Sequence, residues 1–461
     1  MLPAYFPQAK LFTGEHHAEM PRRTLYNAVM RLSELNDFCR LSFKFLCLGI
    51  CLGISVLLVM PVSAQSFSYE TEYPGVNYSS GPLSDRLTRL VQDIDSGKVE
   101  LQYDAEGRGY LDALLEALEI DPSSQFLVFS KTALKTRFVN ARTPRALYFN
   151  DDTYVGFIQD SRSLEIAAMD PVLGSVFFDF SQDPDQPIAP GREMSRCLRC
   201  HDSYSMTGGG VSRFLLSSVL ADPEGEIVTH EVSIISDTST PLNRRWGGMY
   251  VTGLHGDQET LGNFVIDDVS KLANLNLAIN GNKVELSEYI DTTPYISSGS
   301  DIVALLVLEH QIELQNRLIR MSYESRTRLF QEGDINEQTL AELGKPFLES
   351  MFMLNEVALT ETVSGTSGFT EYFQSLGPFD SQGRSLRELD LESRTFKYPF
   401  SYQVYSDAFD SLPDKVKTYL YSRIRMILSG EDTDPAFSAI AKADLVAIAA
   451  ILQETKPEIF N

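Results

Sequence analysis

The spacing of hydrophobic positions changes along the chain, and these changes predict where helices and strands lie. Apolar residues recur every three or four positions in residues 83–96 and 110–120, which predicts two helices. Short apolar or aromatic runs separated by turn residues follow, and they predict an antiparallel sheet. The predicted strands are residues 126–130, 146–150, 154–159, 164–169 and 175–180, and then 214–220, 226–234, 248–252 and 263–266.

Helical spacing returns in the last third of the chain, after about residue 284. Asp301 stands near the start of the strongest segment, and Arg317 and Arg320 stand near its end, as the helix dipole favours. We expect an α+β fold with a β-rich antiparallel middle and a helical C-terminal third, unlike a small all-helical fold. The predicted helices of that third are residues 301–320, 337–356, 411–428 and 441–454.

A hydrophobic segment near the N-terminus has the features of a secretory signal. Lys44 precedes an apolar run over residues 45–60, and small residues up to Ala64 offer a cleavage site. We expect cleavage near Ala64 and a periplasmic or secreted protein, with an uncleaved signal anchor that tethers it as the alternative. Residues 1–64 then form a signal peptide with an extended leader, and residues 65–82 form a linker.

The charge of the chain limits its partners. Without residues 1–64, the chain has 33 basic and 59 acidic residues, a formal net charge of −26. Such a chain repels nucleic acid and attracts a partner protein with a basic face. No second long apolar segment follows, so we expect no membrane span in the mature chain.

One short motif carries the chemistry. Residues 197–201 read CLRCH, and Cys197 and Cys200 are the only cysteines outside the leader and its hydrophobic segment. Two thiols at this spacing each form a thioether with one haem vinyl group, and the adjacent histidine binds the iron. The motif predicts one covalent haem c, with His201 as the proximal iron ligand. We expect the motif region to cover residues 83–283, with the helical region 284–461 packed on it.

Other uses of the two cysteines fit the sequence less well. A structural zinc site needs four ligands, usually from a second cysteine pair, which the chain lacks. A thioredoxin-like redox pair is the remaining alternative, since residues 176–180 resemble the strand that precedes such a motif. However, a proline-rich loop intervenes at residues 181–191, and three glycines at 208–210 interrupt any helix soon after.

Four further residues are candidates for contacts with the haem. His255, which follows a predicted strand and is flanked by Gly253 and Gly256, or His310, on the apolar face of helix 301–320, is the candidate for the sixth iron ligand. Arg245 and Trp246 have the hydrogen-bond donors that haem propionates accept from. Each of these residues also has an ordinary structural interpretation, as a core or surface side chain, and the sequence leaves both open.

The motif resembles that of c-type cytochromes, and the wider chain resembles a group of large bacterial monohaem cytochrome c-like proteins. This resemblance implies covalent haem and redox activity, without implying a particular substrate. The stretches that carry it are the motif itself, residues 143–156 (TPRALYFNDDTYVG), 245–256 (RWGGMYVTGLHG), 301–311 (DIVALLVLEHQ) and 398–402 (YPFSY).

Two functions are favoured, and a sensor or structural haem module is a third hypothesis for which no sequence feature speaks directly. The first is electron transfer in the periplasm by a six-coordinate haem. The second is a haem-dependent oxidoreductase, peroxidase-like or acting on another small molecule, with an open or weakly ligated distal side. The sequence identifies no catalytic residue for the second.

Overall fold

A seven-stranded antiparallel sheet forms the middle of the molecule. The computed structural model describes residues 72–203 and 211–461, which lie within one compact unit, residues 68–461. The strand order in the large sheet is β6-β5-β4-β3-β2-β1-β9. Its strands are β1 Phe126–Val128, β2 Arg145–Phe149, β3 Thr153–Phe157, β4 Ser163–Asp170, β5 Gly174–Ser181, β6 Gly191–Arg192 and β9 Met249–Tyr250, while β7 Ser217–Ala221 and β8 Ile227–Ile235 pair separately.

Short turns place consecutive strands side by side in this sheet. At the β2–β3 turn, the side-chain oxygen of Asn150 accepts hydrogen bonds from the backbone N–H groups of Asp152 and Thr153, at 3.2 and 2.9 Å. A short turn returns the chain beside the strand that it has just left, which gives antiparallel pairing. Strands β6 and β9 are the two edges of the sheet, so residues that follow them lie far apart.

One face of the sheet is covered completely. Helices α1 (Arg86–Asp95) and α2 (Leu111–Ala117) precede the first strand. Alternate residues of β4, such as Leu164 and Ile166, are buried on this face. The ring of Tyr110, just before α2, packs against Phe180 with ring centroids 5.9 Å apart.

The opposite face is covered only in part. A single-turn helix, α3 (Leu198–His201), and the long helix α4 (Ile302–Glu332) lie on this side. The hydroxyl of Tyr154 donates a 2.6 Å hydrogen bond to the side-chain oxygen of Gln315 on α4. Glu165 and Asp179, on neighbouring strands, stay partly accessible. The sheet therefore has one half-covered strip, and the CLRCH motif lies beside it.

The C-terminal third is helical, and the expected α+β fold class is confirmed. One hydrophobic core joins residues of the sheet with residues of these helices. After α4, the helices are α5 Glu337–Met351, α6 Phe369–Ser375, α7 Asp407–Asp410, α8 Asp414–Ser429 and α9 Lys442–Thr455.

Two predicted elements differ most from the observed ones. Helix α4 continues past the predicted end at residue 320, because Met321 and Tyr323 still reach the core. It ends at Glu332, where Gly333 adopts a left-handed conformation with φ of 74°. The strand predicted at residues 263–266 is only an isolated parallel bridge between Ala221 and Val265.

The N-terminal predictions fall mostly outside the described residues. The signal peptide expected at residues 1–64 and the first part of the linker, up to residue 71, lie there. Residues 72–82 of the expected linker pack against the sheet: Tyr78 is buried and donates a 2.8 Å hydrogen bond to the carbonyl of Ser175. Across residues 72–203 and 211–461, no helix is both long and apolar enough to cross a membrane.

Candidate functional site

The CLRCH motif forms one helical turn at the edge of the sheet. It follows strand β6, and Cys197 caps helix α3 at its N-terminal end. Leu198 is buried and anchors the turn in the core. Cys200 is exposed, Cys197 is partly buried, and both thiols are free. The turn thus presents two reduced thiols and one imidazole from five consecutive residues.

A backbone carbonyl fixes the orientation of the His201 ring. The Nδ1 atom of His201 lies 2.6 Å from the carbonyl oxygen of Arg213, and the N–H of Arg213 donates a 2.9 Å bond to the carbonyl of His201. Since a carbonyl only accepts, Nδ1 must carry the proton, which leaves Nε2 with a free lone pair. The second ring nitrogen of a metal-binding histidine is commonly held in this way.

The surroundings of His201 keep its ring neutral. The ring packs against Phe177 of β5, with centroids 4.4 Å apart. Burial, helped by the nearby guanidinium of Arg145, lowers the pKa of His201 to about 4. A neutral imidazole is the form that binds a metal ion. The site therefore holds His201 in the protonation state and tautomer that iron requires.

The environment of Cys197 disfavours the thioredoxin-like alternative. Burial raises the pKa of Cys197 to about 12, and the carboxylates of Glu165 and Glu193 add to this effect. A redox-active cysteine nucleophile needs a lowered pKa, because the thiolate is the reacting form. Cys197 is a thiol at neutral pH.

A strip of half-buried residues on the sheet lies beside the motif. Glu165 pairs across the strands with Gly156 on one side and Asp179 on the other. Arg145 on β2 reaches across strand β3 and pairs with Glu165 on β4 at 3.0 Å. One polar atom of each partner, Nε of Arg145 and Oε1 of Glu165, is buried without a hydrogen-bond partner among the described residues.

The unpaired buried atoms of Arg145 and Glu165 cost stability unless a further polar partner binds them. The two thiols and the imidazole of the motif are the donor set of a haem c site.

His255 lies far from the motif. It follows strand β9, and β5, which contacts His201, is five strands away across the sheet, roughly 24 Å at ordinary strand spacing. The backbone N–H of Asn282 donates to its Nε2 at 3.2 Å, and its Nδ1 is buried without a partner in the part of the chain that the structure describes. The structure does not bring His255 to His201.

His310 is buried, as its position on the apolar face of the helix predicts, but both of its ring nitrogens are already used. Nδ1 lies 2.6 Å from the Glu356 carboxylate, and Nε2 lies 2.7 Å from the Ser401 hydroxyl. Ser401 is fully buried. In this arrangement both ring nitrogens of His310 have hydrogen-bond partners within the protein.

Arg245 and Trp246 do not reach the motif either. The guanidinium of Arg245 is buried and binds the Glu309 carboxylate at 2.6 Å and the carbonyls of Thr238 and Thr240. Trp246 is fully buried beside strand β9, and its indole Nε1 has no hydrogen-bond partner among the described residues. Arg245 therefore has a structural role in the core, because a buried guanidinium needs several hydrogen-bond acceptors.

The residues that do surround His201 carry no sequence motif. Phe177, Glu165 and Arg213 come from separate segments of the chain, and only the sheet register and one carbonyl bring them to the ring. The alternation of Glu165 with buried neighbours marks it as facing away from the covered side. Nothing in the sequence marks Arg213, whose contact with His201 is made by its backbone.

Comparisons with known proteins add no family assignment. No family model matches the chain, and no curated protein or solved structure matches it either. Within the described ranges, no three His, Cys, Asp or Glu side chains are placed to bind a metal ion by themselves. The function is therefore inferred from the motif and its surroundings.

Proposed function

We propose that this chain is an exported c-type haem protein whose haem is attached through Cys197 and Cys200 and whose iron is bound by His201. The observation that carries the proposal is the 2.6 Å contact between Nδ1 of His201 and the carbonyl of Arg213. This contact directs the free lone pair of Nε2 away from the protein backbone, as a proximal iron ligand requires.

The attachment needs only the groups that the motif supplies. Each cysteine thiol adds across one vinyl group: the sulfur bonds to one vinyl carbon, and the thiol hydrogen goes to the other. No oxidant is consumed, and both thiols are free. Phe177 supports one side of the imidazole ring.

The proposed activity is periplasmic electron transfer. Haem iron gains and loses single electrons, and the motif at an exposed sheet edge would leave the haem close to the protein surface. The acidic chain, at −26 without residues 1–64, suits a redox partner protein with a basic face. Export through the N-terminal signal, with cleavage near Ala64 or retention as a tether, is part of the same proposal.

The test is covalent haem retention. The full chain is expressed together with a c-type haem attachment system, and the purified protein is denatured and examined for haem. We expect retained haem in the wild type, less in Cys197→Ser and Cys200→Ser, and none in the double variant. Ser195→Ala, an exposed position just before the motif, is the control and should match the wild type. Absence of covalent haem from the wild type would refute the proposal.

A second function is favoured by the positions of His255 and His310. His255 lies across the sheet from His201, and both ring nitrogens of His310 already have hydrogen-bond partners, so neither is available as the sixth iron ligand in this arrangement. An open or weakly ligated iron is what a haem-dependent oxidoreductase would use.

Carbon monoxide binding separates the two functions. If the reduced protein binds carbon monoxide readily, and His255→Ala and His310→Ala leave the haem spectrum unchanged, the oxidoreductase function is favoured. If the reduced protein does not bind carbon monoxide, a protein side chain fills the sixth position, and the electron-transfer function is favoured. A change of spectrum in one histidine variant alone would identify that histidine as the ligand.

A further inference from the structure

We propose that Asn316, on helix α4, is a positioning residue for the proximal histidine, His201. It acts through one backbone group, the peptide bond between Arg213 and Phe214, whose carbonyl accepts the hydrogen bond of the His201 Nδ1 atom. The effect of Asn316 on bound haem rests on the proposed function. Its effect on the His201 ring does not, so the two effects can be tested separately.

The peptide group between Arg213 and Phe214 is hydrogen-bonded on both sides. Its carbonyl oxygen lies 2.6 Å from Nδ1 of His201, and its N–H donates a 2.9 Å hydrogen bond to Oδ1 of Asn316. The C=O and N–H of a trans peptide point in opposite directions, and this peptide bond is trans. Asn316 and His201 therefore lie on opposite sides of the same planar group.

The side chain of Asn316 takes the place of a neighbouring strand. Residues 212–216 belong to no strand. The amide nitrogen of Asn316 donates to the carbonyl of Phe214 at 2.9 Å, so both backbone groups of Phe214 are paired with one side chain. Among side chains of its size, that of asparagine alone combines a carbonyl acceptor with N–H donors.

Helix α4 is anchored to the sheet on both sides of Asn316. Gln315, the preceding residue, accepts a 2.6 Å hydrogen bond from the hydroxyl of Tyr154 on β3. Ile319 is buried and lies against Gly174 of β5, where an added Cβ would be only 2.9 Å from the isoleucine side chain. The amide of Asn316 is therefore carried by a packed helix and can hold the backbone segment that it binds.

The segment that contains this peptide group is itself buried. The hydroxyl of Ser212 donates to the carbonyl of Ser175 at 2.9 Å, and both serines are fully buried. Phe214 is buried too, and its ring packs against those of Tyr154 and Phe177, with centroids 4.9 and 6.4 Å away. Water does not readily replace a lost hydrogen-bond partner in such surroundings.

Hydrogen bonds on the two sides of one peptide group strengthen each other. When Asn316 accepts from the N–H, the peptide is polarised, and its carbonyl oxygen becomes a better acceptor for the Nδ1 proton of His201. A stronger bond at Nδ1 makes Nε2 a more basic metal ligand. Asn316 thus fixes both the direction and the strength of the bond that orients the His201 ring.

The effect on the His201 ring is tested without haem, in the chain that carries Cys197→Ser and Cys200→Ser. NMR spectroscopy of the protein with labelled histidine measures how fast the Nδ1 proton of His201 exchanges with solvent. Asn316→Leu should speed up this exchange about ten-fold, because the carbonyl loses its support. Asn316→Asp keeps the acceptor for the Phe214 N–H and should retain most of the protection.

Gln315→Met is the matched control. It removes a buried amide from the neighbouring position of α4, but the hydrogen bonds of that amide go to Tyr154 and to the carbonyl of Asp151. The exchange of the His201 proton should therefore stay at the wild-type rate. If Asn316→Leu does not fold, Asn316→Ala provides the same test, since the position is only partly buried.

The haem-loaded protein tests the effect on the iron ligand. Asn316→Leu should raise the haem reduction potential, because a weaker bond at Nδ1 of His201 makes Nε2 a poorer donor to the oxidised iron. Gln315→Met should keep the potential of the wild type. Asn316→Asp should not raise the potential, since the acceptor remains and a negative charge is added.

The proposal is overturned if Asn316→Leu leaves both the exchange of the His201 proton and the reduction potential at the values of Gln315→Met. It is also overturned if Asn316→Leu and Asn316→Asp lose protection of this proton equally, because packing alone then explains the loss. Covalent haem staining tests the proposed function separately. A wild type without haem refutes that function, while the exchange of the His201 proton still decides the role of Asn316.

Discussion

At the scale of single residues, the Arg145–Glu165 pair sets the charge around His201. In the proposed haem-loaded protein, Glu165→Gln should raise the reduction potential of the haem, because a nearby carboxylate stabilises the oxidised, more positive iron. Arg145→Gln should lower it for the opposite reason. Both side chains are mostly buried, at 16% and 18% exposure. Each shift is on the order of 1 kcal/mol, about 40 millivolts for one electron.

Opposite signs distinguish this electrostatic effect from a loss of packing. If the pair acted only through packing, removal of either partner would shift the reduction potential in the same direction. Redox titration of both variants measures the shifts, and Asp183→Asn, at an exposed position, is the control with the same change of charge as Glu165→Gln. Equal potentials in all four proteins would place the haem elsewhere.

A second prediction concerns the buried pair of Arg245 and Glu309. Both side chains are almost inaccessible, at 4% and 0% exposure. Arg245→Leu leaves a buried carboxylate without its partner and should lower the free energy of unfolding by about 3–5 kcal/mol. Its neighbour Arg244 is exposed, and Arg244→Leu should change stability by about 0.5 kcal/mol or less. Urea unfolding of both variants checks the contrast.

The same pair predicts a dependence of stability on pH. Burial raises the pKa of Glu309 from 4.5 to about 7, although Arg245 opposes the shift. Between these values the folded protein holds a proton that the unfolded chain has released, so stability falls as pH rises through this window. The free energy of unfolding of the wild type minus that of Glu309→Gln should therefore fall from pH 4.5 to 7. If this signed difference rises over the same range, the raised pKa is contradicted.

The residues of the candidate site differ in how far the sequence could predict them. Cys197, Cys200 and His201 are contiguous, and their chemistry depends on spacing alone. Residue type and local pattern alone predict His255, His310, Arg245 and Trp246, and in the structure the ring nitrogens of His310 and the guanidinium of Arg245 bind other protein groups. Their positions depend on contacts such as His310 with Ser401, which are 91 residues apart and leave no local signal.

At the scale of elements, strands were predicted more closely than helix ends. Strands β2 to β5 match within about two residues, because alternation between a buried and a half-buried face is a local pattern. Helix α4 was predicted 12 residues too short, since its last turns carry many polar residues. Gly333 was the available signal for its true end.

The start of α4 offers a prediction at this scale. The Asp301 carboxylate is buried and accepts from the backbone N–H groups of Val303, Ala304, Thr366 and Ser367. Asp301→Ala should lower the free energy of unfolding by roughly 3–5 kcal/mol, since it removes a cap and leaves buried donors unpaired.

The matched control is the cap of the next helix. Asn336 is exposed and caps α5 through one hydrogen bond, to the N–H of Thr339 at 2.9 Å. Asn336→Ala should cost only about 1 kcal/mol. If denaturant unfolding gives the two variants equal losses, the buried contacts of Asp301 with residues 366 and 367 add nothing.

At the scale of the whole molecule, the shared hydrophobic core determines how the protein unfolds. Phe177 of the sheet, Leu314 of α4 and Ile451 of α9 belong to the same hydrophobic core. The motif region and the helical C-terminal region therefore cannot be separated without exposing that core. We expect them to unfold together.

The net charge predicts how electron exchange depends on salt. Reduction by a basic redox protein should slow as ionic strength rises from about 10 to 150 mM, because salt screens attraction to the acidic chain. Reduction by a small anionic reagent should speed up over the same range. Stopped-flow kinetics measures both rates, and a salt dependence of the same sign for both reagents would argue against long-range steering.

Trp246 has a practical consequence. It is the only tryptophan of the chain, and it is fully buried at the sheet edge opposite the motif. Its fluorescence is thus an optical reporter from a single, fixed point. Haem absorbs at the wavelengths where tryptophan emits. The extent to which haem attachment quenches this emission would therefore report the distance across the five strand spacings between β9 and β5.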